Sequence, residues 1–340
     1  MIIQTKGYAR VGFMGNPSDG YFGKTISCAI TNFNAEVTLW ESPTLQIILH
    51  PVSDLTEFSS LKALEEIAAR DGYYGGRRLI HASCKKFHEY CRNHNIELQD
   101  KNFTVSYETN IPRQVGLGGS SAIITAMFKA LMQFYELTDA DIPKPIQPNL
   151  ILNVETEELE INAGLQDRVI QVYEGTVFMD FSKDLMEKQG YGNYEYLDSS
   201  LMPPLFLAYV NQPTYSGKIH SDVRHRYEQN DSEVVSAMQT FGEYASECKD
   251  ALIRRDYDCV DELMNQNFQL RRQIFGDAVI GEQNLEMIEI ARDRGYPAKF
   301  SGSGGAIVGM YRNRESLTQL ARVYRERGIG FVKVTTDSGC

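Results

Sequence analysis

The stretch Pro112-Arg113-Gln114-Val115-Gly116-Leu117-Gly118-Gly119-Ser120-Ser121-Ala122 constrains this chain more than any other. Ahead of it, Phe103, Val105 and Tyr107 alternate as in a strand. Behind it, Ala122 to Tyr135 is apolar, free of Gly and Pro, and reads as a helix. Strand, glycine turn and helix in that order aim backbone N–H groups and the positive end of a helix dipole at an anion. The turn is not a Walker A loop, because no Lys-Ser or Lys-Thr follows its glycines. Nor is it a dinucleotide fingerprint, because a serine pair stands where the third glycine belongs. On its own the stretch reads equally well as a plain turn with Ser120 or Ser121 capping a helix.

A chain of 340 residues can bury a large core and form two domains. Its 42% apolar and 23% charged residues are those of an ordinary globular protein. The net charge of -11 and the lack of any Lys/Arg run argue against a nucleic-acid partner. Six cysteines, at 28, 84, 91, 248, 259 and 340, form no CxxC pair, so reduced thiols and a cytoplasmic location are expected. The histidines form no HxxxH pair, which argues against zinc. No apolar leader and no run of ~18 apolar residues occurs, so neither a signal peptide nor a membrane span is expected.

Read in order, Tyr8 to Met14 is a short apolar segment that ends in the turn cluster Gly15 to Gly20. Strands at 26–30, 35–40 and 45–49, broken at Asn32, Asn34, Ser42 and Pro43, predict a region of β-hairpins. Helices are expected over 59–70, 76–93, from Asn149 behind Pro148, and over 165–173, with a strand over 176–181. Ser182 to Pro204 has no periodicity and reads as a crossover between domains. Beyond it, a strand at 205–210, two long amphipathic helices, a helix at 285–294, a strand at 306–310, a helix at 315–327 and a closing strand read as β-α-α-α-β-α-β. That order is an α+β sandwich. The expected domains are residues 1–200 and 201–340.

Four separated features ask for one explanation: Ala9 to Asp19, the opening stretch, Glu155 with Asp167 twelve residues later, and Lys299 to Gly305. Together they resemble the GHMP kinase superfamily, the fold of galactokinase, homoserine kinase and mevalonate kinase. That family carries Ala-Pro-Gly-Lys/Arg-Val-x-Leu-x-Gly-Glu-His-x-Asp, then Pro-x-x-x-Gly-Leu-Gly-Ser-Ser-Ala, then a loop like Lys-x-Thr/Ser-Gly-x-Gly-Gly-Gly. All three occur here in that order. Arg10 lacks the preceding Pro-Gly, Asn16-Pro17-Ser18 replaces Glu-His-x, and Gly119 takes the place of the first serine. Gly15 to Lys24 and Ser216 to Arg224 are similar to the glucuronokinase branch.

The resemblance implies an α+β, two-domain architecture. Its N-terminal domain is like ribosomal protein S5 domain 2, and its C-terminal domain is a ferredoxin-like α/β sandwich. It also implies ATP and Mg²⁺ as cofactors, and a sugar or sugar acid as substrate, with D-glucuronate first and its anomeric hydroxyl the acceptor. The protein would be a monomer or homodimer without a membrane partner. Pro112, Gly116, Leu117, Gly118, Gly119, Ser120, Ser121, Ser303 and Gly304 would hold the nucleotide. Ser120 and Glu155 would ligate the metal, although the extra glycine leaves Ser121 as an alternative. Asp167 would accept the proton of the sugar hydroxyl, and Arg10 would lower its pKa and steady developing charge. Asp19, Tyr21, Lys24, Arg224 and Gly302 would meet the sugar, with Arg224 or Lys24 facing a carboxylate; Tyr215 and His220 are further candidates. The plainer readings are a solvated helix face for Glu155, beside Glu157 and Glu158, and a surface ion pair for Asp167 with Arg168. The alternatives in function are a heptose, fucose, galactose or mevalonate kinase of the same superfamily, or a regulator that binds nucleotide and sugar without transfer.

Overall fold

The computed structural model of the chain describes residues 1–71, 75–210 and 219–336, with the backbone alone at 69–71 and 219–221. Two compact units are each drawn from several stretches. One comprises Met1–Ala9, Phe33–Ile111 and Gly118–Val172; the other comprises Arg10–Asn32, Pro112–Leu117 and Tyr173–Cys340.

In the first unit, β1 (Ile2–Met14) and β2 (Lys24–Ser42) contribute residues up to Ala9 and from Phe33. Then follow β3 (Gln46–Ile47), α1 (Leu61–Asp71), α2 (Gly76–Asn93), β4 (Asn102–Thr109), α3 (Gly119–Phe134), α4 (Gln147–Asn153) and α5 (Leu165–Tyr173). β4 pairs antiparallel with β2, from Ala35 opposite Thr109 to Ser42 opposite Asn102, and parallel with β3. The sequence α3 needs few polar residues because it is buried on nearly all sides, Ser121 to Phe128 without interruption. α2 covers it with an amphipathic face, where Phe87 meets Phe128 edge-on at 5.8 Å. β1 lies against it with alternate residues inward, as the two-residue period of a strand requires. Thr5 Oγ1 donates to the Ala126 carbonyl at 2.6 Å. A side chain at Gly7 would collide with the Ala122 carbonyl oxygen.

β2 corrects the expected hairpin region, since it is one unbroken strand of 19 residues. The asparagines that suggested turns bond sideways instead. Asn32 Nδ2 donates to Lys333 O at 2.8 Å and its Oδ1 accepts from Thr335 N at 2.8 Å. Asn34 N donates to Asn110 Oδ1 at 2.7 Å.

In the second unit, β5 (Thr176–Asp180) pairs antiparallel with Lys24–Cys28 of β2 and, after α6 (Lys183–Gln189), with β6 (Asn193–Leu197). The aperiodic crossover expected over Ser182 to Pro204 is therefore ordered. It showed no period because α6 buries none of its residues and β6 buries only Leu197. β7 (Leu205–Tyr209) precedes α7 (Ile219–Glu228), α8 (Ser232–Arg254), α9 (Tyr257–Phe275), α10 (Asp277–Ile280) and α11 (Glu282–Arg292). β8 (Ala298–Phe300), β9 (Ala306–Met310), α12 (Arg314–Glu326) and β10 (Gly330–Lys333) complete it. These strands form a four-stranded antiparallel sheet in the order β10-β7-β9-β8. Phe206, Tyr324 and Phe331 pack together at its core, and the Tyr324 hydroxyl donates to Met287 O at 2.6 Å.

Among the described residues no helix is long and apolar enough to cross a membrane. Five cysteines are free thiols, and Cys340 lies outside the described residues. Burial pushes Cys28 and Cys84 up to about 12, so they are not nucleophiles at neutral pH.

The approach of β1 to α3 yields a direct test. Replacing Gly7 by Val should destabilise the protein by about 1–3 kcal/mol, because the obstructing atom is backbone and cannot swing aside. Urea unfolding followed by far-UV circular dichroism reads this, and an unchanged midpoint would show that the strand and helix separate without cost.

Candidate active site

The first unit assembles one half of the expected residues around the start of α3. Gly118 precedes the helix at φ 74°, a left-handed conformation that favours glycine. A Cβ there would also stand 2.9 Å from Gln171 Nε2 and 3.3 Å from Asp167 Oδ2. The serine pair then divides. Ser120 Oγ donates to Glu155 Oε1 at 2.6 Å, whereas Ser121 Oγ turns back to the Gly118 carbonyl at 3.1 Å and is fully buried. Only Ser120 shares an edge with a carboxylate.

Glu155 lies where the chain widens from α4 into a π-helical turn, Val154–Glu158. Such turns re-aim side chains and recur at functional sites. Glu157 and Glu158 face outward, to Lys86 at 2.7 Å and Lys85 at 2.6 Å. Glu155 turns inward and is 1% exposed, which rules out the solvated helix face. Its Oε2 accepts from Arg168 Nε at 2.9 Å and also from Arg168 Nη2. Arg168 is buried as well, so the plainer reading of a surface ion pair with Asp167 does not hold. The guanidinium holds Glu155, donates to Gly164 O at 2.8 Å, and reaches Asp167 Oδ2 at 3.9 Å. Asp167, in the first turn of α5, is thus beside Gly118, on the same helix face as Gln171, whose Nε2 donates to Gly118 O at 2.8 Å and Tyr8 O at 3.0 Å.

The second unit assembles the other half. Arg10, 5% exposed, donates from Nη1 to Gly116 O at 2.6 Å and to Ser301 O at 3.2 Å. Its own N–H donates to Leu117 O at 3.1 Å. A side chain at Gly302 would collide with the Gly116 carbonyl oxygen, so the Pro112–Leu117 segment and the Ser301–Gly305 loop touch backbone to backbone. Lys299, 1% exposed, donates to Gly12 O at 2.8 Å, to Phe300 O at 2.9 Å and to Asn16 Oδ1. Burial, with the charges of Arg271 and Arg10, pushes its pKa well below that of a free lysine. Gly305 N donates to Asn284 Oδ1 at 2.9 Å, while Ser303 stays exposed.

Asp19 and Tyr21 share a single 3₁₀ turn, Ser18–Tyr21, just after β1. Tyr227 of α7 packs edge-on against Tyr21 at 4.8 Å. Burial raises the Tyr21 pKa; the charge of Arg224 opposes that shift and that of Asp19 adds to it. Arg224 itself is exposed and donates to Glu228 Oε1 at 3.1 Å. Lys24 lies 3.5 Å from Asp180 Oδ2. Both cations expected to face a substrate carboxylate therefore already have carboxylate partners. Tyr215 and the side chain of His220 lie outside the described residues.

Arg271 was missed. It is 4% exposed, lies 4.7 Å from the Phe300 ring and 5.2 Å from that of Phe275, and donates to Gly302 O at 2.9 Å and Ser303 O at 3.3 Å. The signal for it was present: Val260, Met264, Phe268 and Phe275 mark the buried stripe of α9, and Arg271 is the cation that falls on it.

Ser120 and Glu155 offer hard oxygen donors side by side, which suits Mg²⁺, an ion that takes few protein ligands and completes its shell with phosphate and water. No group of three or more His, Cys, Asp or Glu that could hold a metal occurs among the described residues. A cavity of about 420 Å³ in the first unit is lined by Phe87, Leu131 and Tyr135 among others. It opens toward the end of α3 far from the glycine turn, along a helix of 16 residues that is roughly 24 Å long.

Comparison with known proteins gives the family. Residues 78–175 match the model of the GHMP kinases N terminal domain, and residues 248–330 match that of the GHMP kinases C terminal region. The chain is 52% identical to probable glucuronokinase 2 of Arabidopsis thaliana over 308 residues, covering 90% of this chain and 84% of that protein. It is 50% identical to glucuronokinase 1 of the same plant, with the same coverage. Its fold matches Lactococcus lactis galactokinase complexed with galactose at a TM-score of 0.76 and 15% identity, over 99% of this chain and 94% of that one. With a glycine turn, a Ser–Glu pair and an aspartate in the family's order, and relatives at half identity over nine-tenths of its length, the chain belongs to the GHMP kinase family.

Proposed function

We propose that the protein is a cytoplasmic, ATP-dependent kinase that transfers the γ-phosphoryl group to the anomeric hydroxyl of D-glucuronate, giving glucuronate 1-phosphate and ADP. The observation that carries this reading is the 52% identity to a probable glucuronokinase over 90% of the chain. The arrangement of Ser120, Glu155 and Asp167 in the first unit supports it.

Phosphoryl transfer asks a protein mainly for positioning and for neutralisation of charge. In this reading the backbone from Pro112 to Ser121, with Ser303 and Gly304, holds the triphosphate. Ser120 and Glu155 would hold Mg²⁺, which would supply positive charge against the phosphates. Asp167 accepts the proton of the sugar O1 hydroxyl as the O1–phosphorus bond forms and the bond from phosphorus to the ADP oxygen breaks. Arg168 keeps the Glu155 carboxylate in place, and Gln171 fixes the Gly118 carbonyl beside Asp167. Arg10 secures the loop through Gly116 and Ser301. Asp19 accepts hydrogen bonds from sugar hydroxyls, and Tyr21 lines the same surface.

ADP release across glucuronate, galacturonate, galactose, fucose, a heptose and mevalonate tests the substrate. Glucuronate should give the highest kcat/KM, and a higher value for any other compound would reassign the enzyme within its family. Asp167→Asn should lower kcat by about 10²–10⁴-fold while ATP binding, read by calorimetry, is unchanged. Near-wild-type turnover would remove Asp167 from the proton transfer. Glu155→Gln should raise the Mg²⁺ concentration needed for half-maximal rate, and an unaltered requirement would take Glu155 out of the metal site.

A further inference from the structure

An arginine commonly meets a carboxylate as a fork, with two N–H groups on two oxygens. Arg168 meets Glu155 differently. Its Nε, at 2.9 Å, and its Nη2 both donate to Oε2, while Oε1 accepts from Ser120 Oγ at 2.6 Å. A carboxylate oxygen has about two lone pairs to offer, so two N–H donors fill Oε2.

The arrangement is fixed from both sides. The remaining guanidinium nitrogen, Nη1, donates to Gly164 O at 2.8 Å. Ile161 N donates to Glu155 O at 2.7 Å and closes the π-helical turn that carries the carboxylate. Both residues are buried. A cation arriving beside Ser120 therefore finds one oxygen of Glu155 and not two. Mg²⁺ suits that: it takes single oxygens at the corners of an octahedron and completes its shell with phosphate and water. Ca²⁺ is larger, gathers roughly six to eight oxygens, and often takes both from one carboxylate.

We propose that Arg168 determines which divalent cation the kinase accepts: by occupying Oε2 it keeps Glu155 a one-oxygen ligand, which admits Mg²⁺ and disfavours Ca²⁺. Arg168 acts through Glu155 and is a positioning residue. The inference rests on the metal site of the proposed function and is independent of which sugar is phosphorylated.

The test titrates the Mg²⁺ and the Ca²⁺ complexes of a non-hydrolysable ATP analogue into the full chain, with metal in excess, and reads the ratio of the two affinities by calorimetry. Both ions carry the same charge. Loss of a neighbouring cation, or a general loosening of the site, changes both affinities alike and leaves the ratio in place. The wild-type protein should bind the Mg²⁺ complex more tightly. Arg168→Met should lower the Mg²⁺-to-Ca²⁺ ratio by at least about tenfold, because Glu155 can then present both oxygens. Arg168→Lys, which keeps the charge but sets one nitrogen in place of two, should give an intermediate ratio. Adding Glu155→Gln to Arg168→Met should restore the wild-type ratio at weaker binding, since an amide has a single oxygen to offer.

An unchanged ratio in the Met variant, a wild-type ratio in the Lys variant, or a double variant no more selective than the Met variant would make Arg168 a structural partner of Glu155 and overturn the proposal. So would a wild-type protein that binds the Ca²⁺ complex as tightly as the Mg²⁺ complex. Should the Met variant fail to fold with Glu155 left unpaired, the Lys variant and the double variant, which buries no lone charge, decide. A wild-type protein that binds the analogue equally with Mg²⁺ and with EDTA would instead remove the metal from Ser120 and Glu155, and the inference with it.

Discussion

The glycine loops of the second unit are held by their carbonyl oxygens. Arg10 takes those of Gly116 and Ser301, Lys299 that of Phe300, and Arg271 those of Gly302 and Ser303. Loops this rich in glycine have few side chains with which to fix themselves, so long basic side chains from β1, β8 and α9 do it for them. The peptide unit is planar and trans, which sets its N–H opposite its C=O. Anchoring a run of carbonyls on one side therefore turns the next amides, those of Leu117, Gly302, Ser303 and Gly304, toward the other side. Backbone amides presented together in this way are what an anion site requires.

The first unit solves a different problem with different means. Its central helix α3 is apolar around its circumference, and the polar atoms at its start are few and mostly hydrogen-bonded, although the buried Gln171 Oε1 has no hydrogen-bond partner. Ser120 meets Glu155, Ser121 meets Gly118 O, and Gln171 meets Gly118 O and Tyr8 O. A carboxylate as deeply buried as Glu155 is costly unless it is paired and hydrogen-bonded. Arg168 supplies both at once on one carboxylate oxygen, and the other oxygen is left to Ser120. The ordering of this corner depends on that division of labour.

Much of this was legible in the sequence, and the exceptions have physical causes. Helices α2 and α5 agree with their expected bounds because Gly75 and Gly76 mark the start of one and an apolar stripe the length of the other. Ordered motifs gave Arg10, Ser120, Glu155 and Asp167. β2 was misread because asparagine signals a turn by composition, while here its side chains serve neighbouring chain segments, a tertiary fact invisible locally. α6 and β6 were missed because elements that bury almost nothing carry no hydrophobic period. The plainer reading paired Arg168 with Asp167 at the surface because the two are adjacent in sequence, whereas its close partner lies thirteen residues back, across a π-turn. Arg271 was passed over although a cation in an apolar stripe is the pattern that flags a buried, engaged charge.

Asn267 and Arg271 also give α9 the character of a gauge. They stand four residues apart on one helical face, and through them a turn at residues 15–16 and a turn at 302–303 are fixed to the same stretch of helix. Between them, Phe268 belongs to the buried stripe, while Gln269 and Leu270 lie off it and enter neither grip. The length of the span cannot vary. One residue inserted or deleted between 267 and 271 would rotate one grip by about 100° relative to the other, and no choice of side chain would restore both. Over these five residues the chain is therefore constrained in spacing as well as in composition.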